Sequence, residues 1–160
     1  MLRPVRLDDA PAIADIYNRY ILNTPITFEE VALSPEQMQL RIEETTKSYP
    51  WIVCEEDGRL LGYCYCHKWR ERTAYRFSAE ATIYLHPSSA RKGRGSLLLD
   101  ALLAELRGRN FHTVIAGVLL PNPPSSALLQ KFGFQQVAHF KQVGFKFGRW
   151  LDVGYWQLLL

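Results

Sequence analysis

Two periods of apolar and polar residues run along this chain, and the switches between them mark its elements. Trp51-Ile52-Val53-Cys54 and Leu60 to Lys68 are strand-like apolar runs, and Glu56-Asp57-Gly58 between them is a turn signal, so the two runs are expected to pair as an antiparallel hairpin. Upstream, residues 2–7 read as a short strand. Asp8 then suits the N-cap of a helix to about Tyr20, with Pro11 in its first turn and Ile13, Ile16 and Tyr17 on one face. Ser34-Pro35-Glu36-Gln37 is a capping-box pattern that opens a second helix, to about Thr46. Downstream, 76–86 reads as a strand that stops at His86-Pro87. Leu97, Leu98, Ala101, Leu102 and Leu106 then recur at helical spacing, from Gly95 to about Arg109. His112 to Val118 is a buried-type strand, Ser125 to Phe132 a short helix ended by Gly133, and 134–144 and 150–158 are the last strands. A meander followed by β-α-β-α-β predicts an α/β chain with a mixed sheet and helices on its faces.

With 160 residues and no linker or repeat, residues 1–160 are expected to form a single domain. Apolar residues are 48% and charged residues 22%, an ordinary globular balance. The net charge of +3 is too small, and the basic residues too scattered, to indicate nucleic acid as a partner; clusters around 68–76 and 91–94 suit a small anion better. Cys64 and Cys66 should face the same side of one strand, roughly 6.5–7 Å apart and too far for a disulfide. Reduced thiols fit a cytoplasmic protein. The sequence has no apolar run long enough for a membrane span, and MLRPVRLDD carries no export signal. His67, His86, His112 and His139 are scattered, so no metal site is expected.

The stretch SSARKGRGSLLLDAL, residues 88–102, places two glycines and three basic residues ahead of an apolar helix. Helix N-termini offer free amides and partial positive charge, and glycines let a phosphate come close. Alone, a stretch of this kind is more often a basic turn that merely starts a helix. It lacks the G-x-x-x-x-G-K-[ST] pattern and the third glycine of a dinucleotide loop. It resembles R/Q-x-x-G-x-G/A, the pyrophosphate loop of the GNAT superfamily of acyl-CoA N-acyltransferases. Ile13 to Asn18, Trp51-Ile52-Val53, Gly62-Tyr63, Leu120 to Ser125 and Leu129 to Phe134 are similar to that family too. Arg70 to Arg76 with Glu80, and Val143-Gly144-Phe145-Lys146-Phe147-Gly148-Arg149-Trp150-Leu151-Asp152, resemble its phosphinothricin acetyltransferase branch, which includes methionine sulfoximine and methionine sulfone acetyltransferases.

The resemblance implies a GNAT fold: a mixed, mostly antiparallel, twisted sheet of about six or seven strands flanked by about four helices. It implies acetyl-CoA as cosubstrate, with the pyrophosphate on the amides of Arg91, Lys92, Gly93, Arg94, Gly95 and Ser96. The basic side chains there would add charge-assisted contacts. The pantetheine arm would lie along Ile83, Tyr84 and Leu85 like an added strand, and Asn122 and Lys131 match positions that touch the cofactor. Glu80 matches the catalytic glutamate; a buried carboxylate is a better base near neutral pH. Arg72 and Arg76 match an anion grip for the acceptor, and on a continuous strand Arg76 would share a face with Glu80. Phe28 and Tyr75 match the substrate pocket. A backbone N–H near Leu85 would serve the oxyanion.

Three positions depart from the family pattern. Ala90 stands where the loop opens with Arg or Gln, Ala81 where His or Asn often follows the glutamate, and Leu129 where the acid toward the thiolate is usually Tyr or His. Three functions follow: an N-acetyltransferase of a small amino-acid-like amine by direct attack, a non-catalytic or weakly active acyl-CoA-binding module, or a nucleic-acid binder using the basic loop. The apolar end, Tyr155 to Leu160, would aggregate if uncovered, and with the family habit this predicts a homodimer.

Overall fold

The computed structural model describes residues 1–89 and 92–160. Among them, the strands are β1 (Leu2–Pro4), β2 (Trp51–Glu56), β3 (Arg59–Lys68), β4 (Ser78–Leu85), β5 (Thr113–Leu120), β6 (Gln135–Lys146) and β7 (Arg149–Leu159), and the helices are α1 (Ala10–Asn23), α2 (Pro35–Thr46), α3 (Arg94–Gly108) and α4 (Pro123–Lys131). The seven strands form one sheet in the order β1-β2-β3-β4-β5-β7-β6. All neighbours are antiparallel except β4 and β5. The mixed, mostly antiparallel sheet read from the sequence is therefore present. At the β2–β3 turn, Asp57 and Gly58 have φ of 51° and 73°, the two left-handed residues that a tight hairpin takes.

The capping box before α2 forms as the sequence indicates. Gln37 N–H donates to Ser34 Oγ at 3.1 Å, and Ser34 N–H donates to Gln37 Oε1 at 2.9 Å. The start of α1 differs. Residues 7–9 make a 3-10 turn and the helix begins at Ala10, so Asp9 rather than Asp8 stands at its mouth. The Asp9 carboxylate takes two bonds of 2.8 Å from Arg3, and these draw the chain into the turn.

Side-chain alternation along β3 divides the core. Cys64 and Cys66 face α3 with Leu98, Leu99, Leu102 and Leu106, while Tyr63 faces α1 and α2 with Ile13, Ile16 and Ile42. The buried stripe of α3 runs through 95, 98, 99, 102, 103 and 106, which leaves Leu97 57% exposed although its spacing placed it on the apolar face. All three cysteines are buried and free. Among the described residues no helix is long and apolar enough to cross a membrane.

Two features of the sheet position the site. The parallel pairing of β4 with β5 covers only Ser78–Glu80 against Thr113–Ile115, whereas β5 stays paired with β7 as far as Leu120. The sheet therefore splits beyond Glu80. Secondly, β7 is an interior strand with neighbours on both sides. The last strand is thus paired on both sides within the subunit as far as Gln157, beyond which Leu158 and Leu159 pair with β5 alone and Leu159 is exposed.

Candidate active site

The split in the sheet exposes backbone. His86 N–H donates to Leu61 O, so the residues of β4 that bond β3 are the even-numbered ones. The N–H and C=O groups of Ile83 and Leu85 consequently face the gap toward β5. Tyr20 Oη donates to Leu85 O at 2.6 Å, while the remaining groups are open to an extended ligand. Ile83, Tyr84, Asn122 and Leu129 line this cleft, about 120 Å³ in volume. Asn122 also caps α4, its Oδ1 accepting from Ser125 N–H at 3.4 Å.

At one end of the cleft is the N-terminus of α3. Gly93, its N-cap, has φ +74°, and a Cβ built there would meet nothing within 4 Å. The conformation calls for glycine, and the space above it is open. The first-turn amides of Arg94, Gly95 and Ser96 lack intrahelical acceptors. Lys131 Nζ donates to Ser96 Oγ at 3.1 Å, which brings two of the cofactor candidates together at this mouth. These features fit a pyrophosphate on backbone donors with a lysine beside it. Arg94 differs from expectation. Its guanidinium is committed to Glu56 at 2.6 Å, which leaves its backbone amide for an anion. Lys92 is exposed. Ala90 and Arg91 lie outside the described residues.

At the other end the cleft opens into a second cavity of about 520 Å³, lined by Phe28, Arg70, Glu80, Thr82, Tyr84 and Tyr155 among others. The two cavities share Thr82, Tyr84, Gly117 and Val118, so they are continuous. The Glu80 side chain is 22% exposed. Burial pushes its carboxyl above the usual glutamate range, against the pull of His67 and Arg70. The carboxylate lies over Gly117 of β5, where an added Cβ would stand 3.3 Å from Oε1. A carboxylate of raised basicity thus sits where the β4 backbone becomes free, beside a pocket holding an arginine. That arrangement can deprotonate an amine next to an extended acyl donor.

The other predicted substrate residues are elsewhere. β4 begins at Ser78, and residues 73–75 form a 3-10 turn, so Arg76 is not on a strand and shares no face with Glu80. Arg76 donates to Thr73 O at 3.2 Å and lies over the Phe77 ring. Arg72 and Arg76 line a separate basic cavity of about 520 Å³, which Arg70 joins to the Glu80 pocket. Tyr75 is exposed on that turn. Phe28 does wall the Glu80 pocket, from the loop after α1. Sequence reasoning missed Arg70, His67 and Tyr155. The register of the β3–β4 hairpin, which sets His67 opposite Glu80, is the signal that would have found the histidine. A larger cavity, about 1010 Å³, lies at the β1 edge, away from these groups. Among the described residues no three His, Cys, Asp or Glu side chains are placed to hold a metal ion.

Comparison with known proteins agrees with this geometry. Residues 2–154 match the model of the acetyltransferase (GNAT) domain. The chain is 40% identical to a phosphinothricin N-acetyltransferase of Alcaligenes faecalis over 94% of this chain and 78% of that protein. It is 35% identical to the L-methionine sulfoximine/L-methionine sulfone acetyltransferase of Salmonella typhimurium, over 95% and 90% of the two chains. The crystal structure of a phosphinothricin acetyltransferase from Sinorhizobium meliloti in complex with acetyl-CoA superposes with a TM-score of 0.96 at 38% identity, covering 100% of this chain and 88% of the other. By sequence, fold and the split at β4, the chain belongs to the GNAT acetyltransferase family.

Proposed function

We propose that this protein transfers the acetyl group of acetyl-CoA to the primary amine of a small amino-acid-like acceptor, of the phosphinothricin or methionine sulfoximine/sulfone type, by direct attack in a ternary complex. The observation that carries the proposal is the position of Glu80, desolvated, at the junction of the open β4 backbone and a pocket that contains Arg70. Glu80 holds the proton that the ammonium must lose, and Arg70 pairs with the acceptor's carboxylate. Ile83 and Leu85 align the acyl donor, and Gly93 to Ser96 with Lys131 seat its pyrophosphate. Asn122 contacts the donor further along. Phe28 shapes the acceptor pocket, while Arg72 and Arg76 form its outer basic approach. Leu129 gives the thiolate no acid, and a thiol with a pKa near 8.5 leaves tolerably without one.

The test follows thiol release from acetyl-CoA with L-phosphinothricin, L-methionine sulfoximine and L-methionine sulfone. Amine-dependent release is expected. Glu80→Gln should lower kcat by roughly 10²–10⁴-fold and keep acetyl-CoA affinity within about twofold. No release with any acceptor, or full turnover by the variant, contradicts the proposal.

The same proposal includes a homodimer, on a different surface from the one the sequence suggested. Edge strand β6 and the turn after it expose Phe140, Val143, Phe145 and Phe147, and the start of β7 exposes Trp150 beside them. Such an apolar edge favours pairing with a second copy. Phe140 and Val143 also wall the Glu80 pocket, so the pairing would lie beside the site. Light scattering at micromolar concentration should give twice the chain mass; a monomer refutes it.

A further inference from the structure

The transfer releases a proton that needs a route out. The acceptor arrives as R–NH3+. The C–N bond forms, the C–S bond breaks with its electron pair on sulfur, and two N–H protons are lost. One of them ends on the thiolate. The other goes to solvent, once per turnover, and Glu80 is the group that first takes it.

His67 stands directly across the β3–β4 ladder from Glu80, in a pair whose side chains share one face. Its Nδ1 lies 3.0 Å from Lys68 O. A carbonyl only accepts, so Nδ1 carries the hydrogen and the neutral ring has its lone pair on Nε2. That lone pair faces the carboxyl group, with Nε2 3.8 Å from Glu80 Oε2. The separation is slightly beyond a hydrogen bond, as catalytic contacts often are before substrate binds. The imidazole is 42% exposed where the carboxylate is 22%, so the ring stands between the Glu80 carboxyl group and bulk water.

We propose that His67 is the proton relay of Glu80: Nε2 takes the proton that Glu80 has received from the ammonium and hands it to solvent, which returns the carboxylate to its basic form. The inference rests on Glu80 being the base of the proposed transfer. His67 acts through Glu80 and is a positioning residue, not one that touches the acceptor. The other charged and titratable groups around the pair are Arg70 beyond the end of β3, Tyr155 on β7, and Tyr65 and Cys66 on β3. The two tyrosines and the cysteine are all pushed up by burial, and of the side chains around Glu80 the imidazole is the one whose free nitrogen lies 3.8 Å from the carboxyl group.

The experiment has two arms. In the first, protein labelled with 13C at glutamate carboxyls is titrated by NMR without acceptor, with Glu80→Gln assigning the resonance. His67→Ala should move the Glu80 midpoint to higher pH, because the imidazolium no longer opposes burial; an unmoved midpoint overturns the pairing. This arm reports on the pair even if the protein acetylates none of the acceptors tested. In the second arm, kcat near neutral pH should fall about 10- to 100-fold in His67→Ala, with KM for acetyl-CoA within about twofold. Added imidazole should restore turnover in a saturable way. His67→Asn keeps a donor for the Lys68 carbonyl and lacks the relay nitrogen, so it should show the same loss. Wild-type turnover in either variant, or a loss that imidazole does not relieve, overturns the relay.

Discussion

Lys146→Met tests what holds the acceptor pocket together. Lys146 is 2% exposed, at the end of β6. Its ammonium donates to Thr27 O at 2.7 Å and to Thr24 O at 2.9 Å, bridging the two ends of the chain. Between and just after those carbonyls lie Ile26 and Phe28, both in the pocket wall. Phe28 also packs against Gly144 so closely that a Cβ there would stand 2.2 Å from its ring. Methionine keeps the length of the side chain and leaves two inward-facing carbonyls without a donor. A hydrogen bond from a charged group contributes about 1.5–3 kcal/mol net. Against the loss of two stands the removal of an ammonium buried, among the described residues, without an ion-pair partner. The balance is a destabilisation of about 2–3 kcal/mol. For a domain this size that lowers Tm by roughly 4–12 °C. Because the freed loop walls the acceptor pocket with Ile26, Thr27 and Phe28 and the donor cleft with Ile26 alone, KM for the amine should rise about tenfold and KM for acetyl-CoA clearly less. Calorimetry and steady-state kinetics read both effects. A Tm within about 1 °C of wild type together with an unchanged amine KM would refute the clamp.

Three further outcomes are expected. Gly117→Ala places a Cβ 3.3 Å from Glu80 Oε1 and 3.2 Å from Tyr155 Cε1, so the carboxylate must shift; kcat should fall about tenfold at constant acetyl-CoA KM, and an unchanged kcat would show that this wall does not position the base. Arg94→Ala frees the start of α3 from Glu56, a contact of 2.6 Å; acetyl-CoA KM should rise about three- to tenfold, Glu56→Ala should match it, and the double variant should add little, whereas full additivity would deny the tether. As the base of the proposed transfer Glu80 would work in its ionised form, and burial raises its pKa, so kcat/KM should fall as pH drops through that raised value; an acid limb at the ordinary glutamate pKa of about 4.3 would mean that the cavity does not desolvate the carboxylate in solution.

Much of the fold was legible because it rests on local chemistry. Ser34 and Gln37 state a capping box, Asp57-Gly58 a tight hairpin, and the leucines of α3 a buried stripe, although with Leu97 on the wrong side of it. Positions in the candidate site were legible, while their roles belong to the proposal: Gly93 before α3, the open edge of Ile83 and Leu85, and the half-buried Glu80 stand where sequence and resemblance put them. Side-chain roles that depend on distant partners were not legible. Arg94 looks free in the sequence, but Glu56 holds it from 38 residues away. Arg76 lost its place beside Glu80 because a 3-10 turn delays the start of the strand to Ser78, and Arg70, six residues before it, lines the Glu80 pocket instead.

β7 is paired on both sides along most of its length, so Tyr155 to Gln157 sit inside the sheet, while Leu159 at its end is exposed. The larger exposed apolar surface, Phe140, Val143 and Phe145, is one strand further out, on β6. Placing β7 inside the sheet does more than bury it. It continues the sheet alongside β5 after β4 has turned away, so the split beyond Glu80 becomes a cleft with a rigid far wall. Tyr155 and Gly117 are direct partners across that wall, and both contact the space around the Glu80 carboxylate. A substitution that loosens the β5–β7 ladder should therefore act on the base without touching it, lowering kcat while the pyrophosphate seat, anchored on α3, keeps its affinity for acetyl-CoA.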